Sequence, residues 1–155
     1  MIINKEACAC FTGHRVLKRD IDVLALDNEI IKLLNRGFDT FLCGMAMGFD
    51  MLCMKRLLKL KDKYPQIKAV ACIPCKDQAK KFPADIKKEY NLLVDEADEK
   101  IVLSDDYTET CMKERDRFMV DNSSVCVAYL YKSSGGAYYT ARYAIEQNLE
   151  MVFVK

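Results

Sequence analysis

The chain has 155 residues, 51% hydrophobic and 30% charged, the balance of one soluble domain able to bury a core of its own. Lys and Arg number 24 against 23 Asp and Glu, which excludes a strongly basic nucleic-acid surface and leaves a local arginine cluster as the one route to a polyanion. No apolar run approaches the roughly 20 residues that span a bilayer, and the N-terminus lacks a basic region followed by an apolar stretch, so a cytoplasmic chain with no membrane partner is expected.

Ala7–Phe11 reads as a first strand, ending in the polar turn Thr12-Gly13-His14-Arg15 with the only histidine. A helix is expected over about 20–36. Ile21, Leu24, Ile31 and Leu34 share one face, Val23, Leu26, Ile30 and Leu33 widen it, and Gly37 supplies the stop. That stripe is wider than one sheet face requires and points to a homo-oligomer. Phe38–Cys43 is the second strand. Gly44-Met45-Ala46-Met47-Gly48 follows, with Asp50 two residues on, then a helix over Met51–Lys63 that Tyr64-Pro65 ends. Glycine lets a ligand approach the main chain, and the free N–H groups of a first helical turn favour an anion. The stretch is therefore either a phosphate pocket or a tight turn whose glycines serve packing.

Ile67–Ile73 is the third strand, closed by Pro74. A helical segment from Lys76, interrupted at Pro83, resumes with Ile86, Tyr90, Leu93 and Ala97. Lys100–Ser104 is the fourth strand, and Asp105-Asp106-Tyr107 leads into a helix over about 108–122. Ser124–Tyr131, nearly all apolar, fits a strand covered on both faces. Lys132-Ser133-Ser134-Gly135-Gly136 is a second glycine turn. It opens a helix whose Ala137, Thr140, Ala141 and Ala144 allow close packing, and Glu150–Val154 is the last strand. Six strands alternating with five helices predict a single three-layer α/β/α domain over 1–155, Rossmann-like, doubly wound, its sheet mostly parallel.

In such sheets ligands bind beyond the carboxyl ends of the strands. The segments 12–15, 44–50, 74–78, 104–107 and 133–136 all fall there. No G-x-G-x-x-G follows the first strand and no Walker A lysine motif occurs, which excludes ordinary Rossmann dinucleotide binding and P-loop hydrolysis. Cys72-Ile-Pro-Cys75 has the spacing of a redox pair but lacks a thioredoxin-like context. Cys8 and Cys10, two apart on a strand, point together into the core rather than at a metal. His14 is either a general base or phosphate donor, or a surface turn residue without a role. Arg115 shares a helix face with Cys111 and Met119 and is expected to point inward, to a ligand phosphate or to a carboxylate such as Asp50.

Phe11–Arg15, Cys43–Asp50, Ile73-Pro74-Cys75 with Gln78, Arg115–Asp121, and Gly135-Gly136 followed by Thr140 together resemble the SLOG superfamily, nearest its YspA/YpsA-like single-domain branch. In the related DprA family, a Ser-Gly-Leu-Ala-x-Gly-Ile-Asp motif is similar to Cys43–Asp50. Its Arg-Asn-Arg is similar to Arg115–Arg117, and its Ser-Gly-x-x-x-Thr-Ala-Arg to Ser134–Arg142 with one extra residue. That likeness implies single-stranded DNA as an alternative partner. In the LOG phosphoribohydrolases a glycine loop holds phosphate and supplies a catalytic glutamate, with an upstream arginine similar to Arg115. The glutamate position is Arg142 here. An arginine cannot act as a base at neutral pH, so hydrolysis would need Asp50 or Asp121 in its place.

The resemblance implies a binding protein for a nucleotide or nucleotide-derived ligand of the ADP-ribose or NAD type, in a signalling or stress-sensing role. No catalytic residue and no metal ligand is assigned, and no cofactor beyond that nucleotide. Gly13, Gly44, Met45, Ala46 and Gly48, with Ser134, Gly135 and Gly136, would bring backbone to phosphate. His14, Arg15, Arg115 or Arg117 would add charge-assisted bonds, and Thr12, Asp50 and Thr140 would position hydroxyl groups.

Overall fold

The computed structural model describes residues 2–155. Its strands are β1 (Cys8–Gly13), β2 (Thr40–Cys43), β3 (Lys68–Ile73), β4 (Glu99–Val102), β5 (Val125–Tyr129) and β6 (Glu150–Val154). Between them lie α1 (Val23–Asn35), α2 (Phe49–Leu60), α3 (Ala84–Glu96), α4 (Cys111–Asp121) and α5 (Gly136–Glu146). The sheet order is β4-β3-β2-β1-β5-β6, and every pairing is parallel. The direction of winding reverses between β1 and β5, which makes their carboxyl ends the switch point of the sheet.

Alternation along the strands splits the core in two. Ala9, Phe11, Phe41 and Ala69 pack under α1, α2 and α3 with Leu26, Ile30, Leu57 and Leu93. Cys8, Cys10, Leu42, Cys72 and Cys126 pack under α4 and α5 with Met119, Val120 and Ala144. Cys8 and Cys10 thus share one apolar layer, and no group of acids, cysteines or histidine among the described residues could hold a metal.

Two expectations change. The first helix begins at Val23, because Asp22 caps it by accepting the Ala25 N–H at 2.9 Å. Residues 76–82 form successive turns rather than a helix. Gln78, Lys80 and Phe82 each bond the carbonyl three residues back, and the helix starts only after Pro83, whose ψ of 150° is extended. The apolar stripe of α1 is also taken up largely within the chain: Leu26, Ile30 and Leu33 are buried in its own core, and Leu24 stands out in solvent.

Candidate functional site

A cavity of about 290 Å³ opens at the switch point. The end of β1 contributes Thr12, Gly13, His14 and Arg15, and the β2–α2 turn contributes Ala46 and Asp50. Arg115 and Asp116 reach it from α4, and Lys132, Gly135 and Gly136 from the turn after β5. Of the residues singled out in the sequence, nine meet here: Thr12, Gly13, His14, Arg15, Ala46, Asp50, Arg115, Gly135 and Gly136. Gly44, Met45, Gly48 and Ser134 do not line it. Arg117 and Thr140 line a second, larger cavity of about 610 Å³ between α4 and α5.

The two glycine turns serve different ends. At Gly44 a Cβ would sit 2.8 Å from the Arg115 guanidinium carbon, and at Gly48, whose φ is 85°, it would collide with the Arg15 backbone carbonyl. Both glycines make room for other parts of the chain. Met45 (φ 63°) is fully buried in the core under α2. Gly135 and Gly136, by contrast, have nothing within 4 Å of where a Cβ would lie. They leave an open approach to the start of α5, which no side chain caps.

Arg115 is 3% exposed, as its helix face predicts. Its Nε donates to Asp116 at 2.6 Å, and NH1 donates to the carbonyls of Gly44 and, at 3.5 Å, Cys72. Burial opposes its charge, but Asp116 and Asp50 outweigh that and hold it ionised. It therefore ties the β2–α2 turn and the end of β3 to α4, and Arg115→Ala would orphan buried carbonyls as well as empty the site. Asp116 was not legible as a site residue. Its other oxygen lies 3.0 Å from the Thr140 hydroxyl, joining α4 to α5 where the two cavities meet. Neighbouring a motif arginine was the only sign of it.

Asp50 is buried, and its Oδ2 accepts the Ala46 N–H at 3.3 Å. Burial pushes its carboxyl up to about 7, against the pull of Arg115. His14 is 5% exposed, with Tyr131 edge-on at 4.4 Å between ring centroids. Burial, then the charge of Lys132, holds its imidazole below the usual range, so it is neutral at pH 7. Its Nε2 is the only buried side-chain polar atom among the described residues that has no hydrogen-bond partner. Lys132 was also missed: its place in the glycine turn after a buried strand was the available signal. Asp121 accepts from the Tyr143 hydroxyl at 2.7 Å and lines neither cavity. Arg142 lies on the outer cavity.

Cys72 and Cys75 are both free and buried. Cys72 belongs to the core under α4, and burial pushes both thiols up, to about 12 and about 11.

The model of the YspA SLOG family matches residues 15–152. The SPbeta prophage-derived protein YoqJ of Bacillus subtilis is 29% identical over 141 residues, covering 83% of this chain and 81% of YoqJ. Among solved structures, DNA processing protein A from Streptococcus pneumoniae superposes with a TM-score of 0.66 at 16% identity. The same protein from Helicobacter pylori, whose structure addresses its single-stranded DNA binding mode, gives 0.65 at 14%. Each covers 94% of this chain, and this chain spans only 49% and 64% of their lengths, so the likeness is one of fold.

Proposed function

The chain belongs to the YspA SLOG family, and from that membership we propose that it binds a phosphate-bearing nucleotide or nucleotide-derived ligand at the switch-point cavity. The observation that carries this reading is His14, a buried residue that lines the cavity and whose Nε2 has no hydrogen-bond partner among the described residues. Leaving a buried polar group unsatisfied costs about 1–3 kcal/mol, and a ligand oxygen or hydroxyl would recover it. Three features fit an anion beside it: the uncapped start of α5 at Gly135-Gly136, the Lys132 ammonium, and the Arg115 guanidinium, whose NH2 group makes no hydrogen bond among the described residues.

A thermal-shift series with AMP, ADP, NAD, ADP-ribose and a short single-stranded oligonucleotide, at low and moderate salt, tests the reading. A ligand at 100 times its dissociation constant stabilises by about 2.7 kcal/mol. A mononucleotide or ADP-ribose shift that survives salt is the expected result. No shift with any small ligand sinks it. The second reading is single-stranded DNA binding, which the fold shared with DNA processing protein A favours. Stabilisation by the oligonucleotide alone, lost as salt rises, would establish it instead.

A further inference from the structure

We propose that the groove between α4 and α5 is the nucleobase half of the same site, so that the ligand is a nucleoside phosphate with its base stacked on Tyr139, Tyr143 and Arg117. This rests on the nucleotide reading above and extends it.

The inner cavity, at about 290 Å³, stands at the lower limit of the roughly 300–1,000 Å³ of small-molecule sites. It is enough for a sugar phosphate. The groove of about 610 Å³ continues directly from it, because Met112, Asp116 and Gly136 line both. The groove therefore begins at the helix terminus that faces the anion. Gly136 and Tyr143 are seven residues apart on α5, about 10 Å along its axis. That is the separation of one nucleoside unit.

The walls suit a flat, uncharged ring. Tyr139 is 65% exposed and its ring lines the groove. The Arg117 guanidinium lies 5.1 Å from the centre of the Tyr143 ring and forms no ion pair among the described residues. Aromatic rings and guanidinium planes are the surfaces on which bases stack, with little preference for which base. Thr140, already held by Asp116, forms the step between the two halves.

Calorimetric titrations with ribose 5-phosphate and AMP separate the halves. One stacked base is worth at least about fivefold and typically more than tenfold in affinity, so AMP should bind the unaltered protein roughly tenfold or more tighter than ribose 5-phosphate. Tyr139→Ala and Arg117→Ala, both at exposed positions, should reduce AMP towards the sugar phosphate's affinity while ribose 5-phosphate binds as before. Equal affinities for the two probes, or AMP binding indifferent to both substitutions, overturns the base subsite and leaves the inner site standing. Failure of both probes to bind overturns the two proposals together.

Discussion

Asp50→Asn should change how the stability of the protein depends on pH. The folded protein holds the Asp50 carboxyl at about 7 against an ordinary value of 3.8. A difference of about 3 pH units at 1.36 kcal/mol each is a destabilisation of about 4 kcal/mol once the group is fully ionised. The sign follows from proton counting. Between pH 4 and pH 7 the folded state binds the proton and the unfolded state does not, so stability falls as pH rises through that window and levels off above it. At pH 5 less than half of the loss has been incurred, and at pH 8 nearly all of it. Asn carries no charge at either pH and keeps an acceptor for the Ala46 N–H. Urea unfolding at pH 5 and pH 8 should therefore show the variant gaining roughly 2–3 kcal/mol on the wild type between the two conditions, whatever constant offset the substitution brings. A wild-type minus variant difference that does not move with pH would refute the account of Asp50. The same ionisation places a negative charge in a cavity proposed for an anion, so ligand affinity should decline through pH 7 in the wild type and less so in Asp50→Asn.

The two glycine turns give a second contrast. Gly48→Ala forces both a positive φ and a collision with the Arg15 carbonyl, and should cost upwards of about 3 kcal/mol. Gly135→Ala, in open space at φ 91°, should cost only about 1–3 kcal/mol of backbone strain, and chemical denaturation of the two ranks them. All eight cysteines are buried and free, so a thiol reagent should label none quickly in the native protein and all eight in urea; rapid native labelling of Cys75 would reopen the redox reading. Glu150→Gln removes an exposed pair with Arg36 at 2.8 Å and should leave the melting curve nearly unchanged.

The centre of the sheet was legible because β1, β2, β3 and β5 are covered on both faces and read as apolar runs such as Val125–Tyr129, the first three closed by Gly13, Gly44 and Pro74. The inward turn of Arg115 was legible from helical spacing with Cys111 and Met119. The partners of that arginine were not, since Gly44 and Cys72 lie 71 and 43 residues away and meet it only through the sheet order. The same limit hid the difference between the glycine turns. Sequence shows that a residue is glycine, but whether the space beside it is filled by Arg15 or left open depends on which strands are neighbours. Sequence also placed the lone histidine in a turn, where exposure was as plausible as function; burial against Tyr131 with one nitrogen unpartnered came from β1 pairing with β5. The segment 76–82 was misread as helix because its composition suits one, while Gln78 is drawn out of any regular helix by bonds to the Gly44 carbonyl at 2.9 Å and the Tyr90 hydroxyl at 2.8 Å.

The central claim is that the switch-point cavity binds a phosphate-bearing ligand through His14. Calorimetric titration of AMP into the wild type and His14→Phe, with melting temperatures taken alongside, tests it most directly. Phe keeps the ring packed on Tyr131 and removes the unpartnered nitrogen. The account predicts saturable binding to the wild type and at least about tenfold weaker binding to the variant, the value of about one lost hydrogen bond to a charged group, with the fold retained. No binding to the wild type, or the same affinity in both, would contradict it.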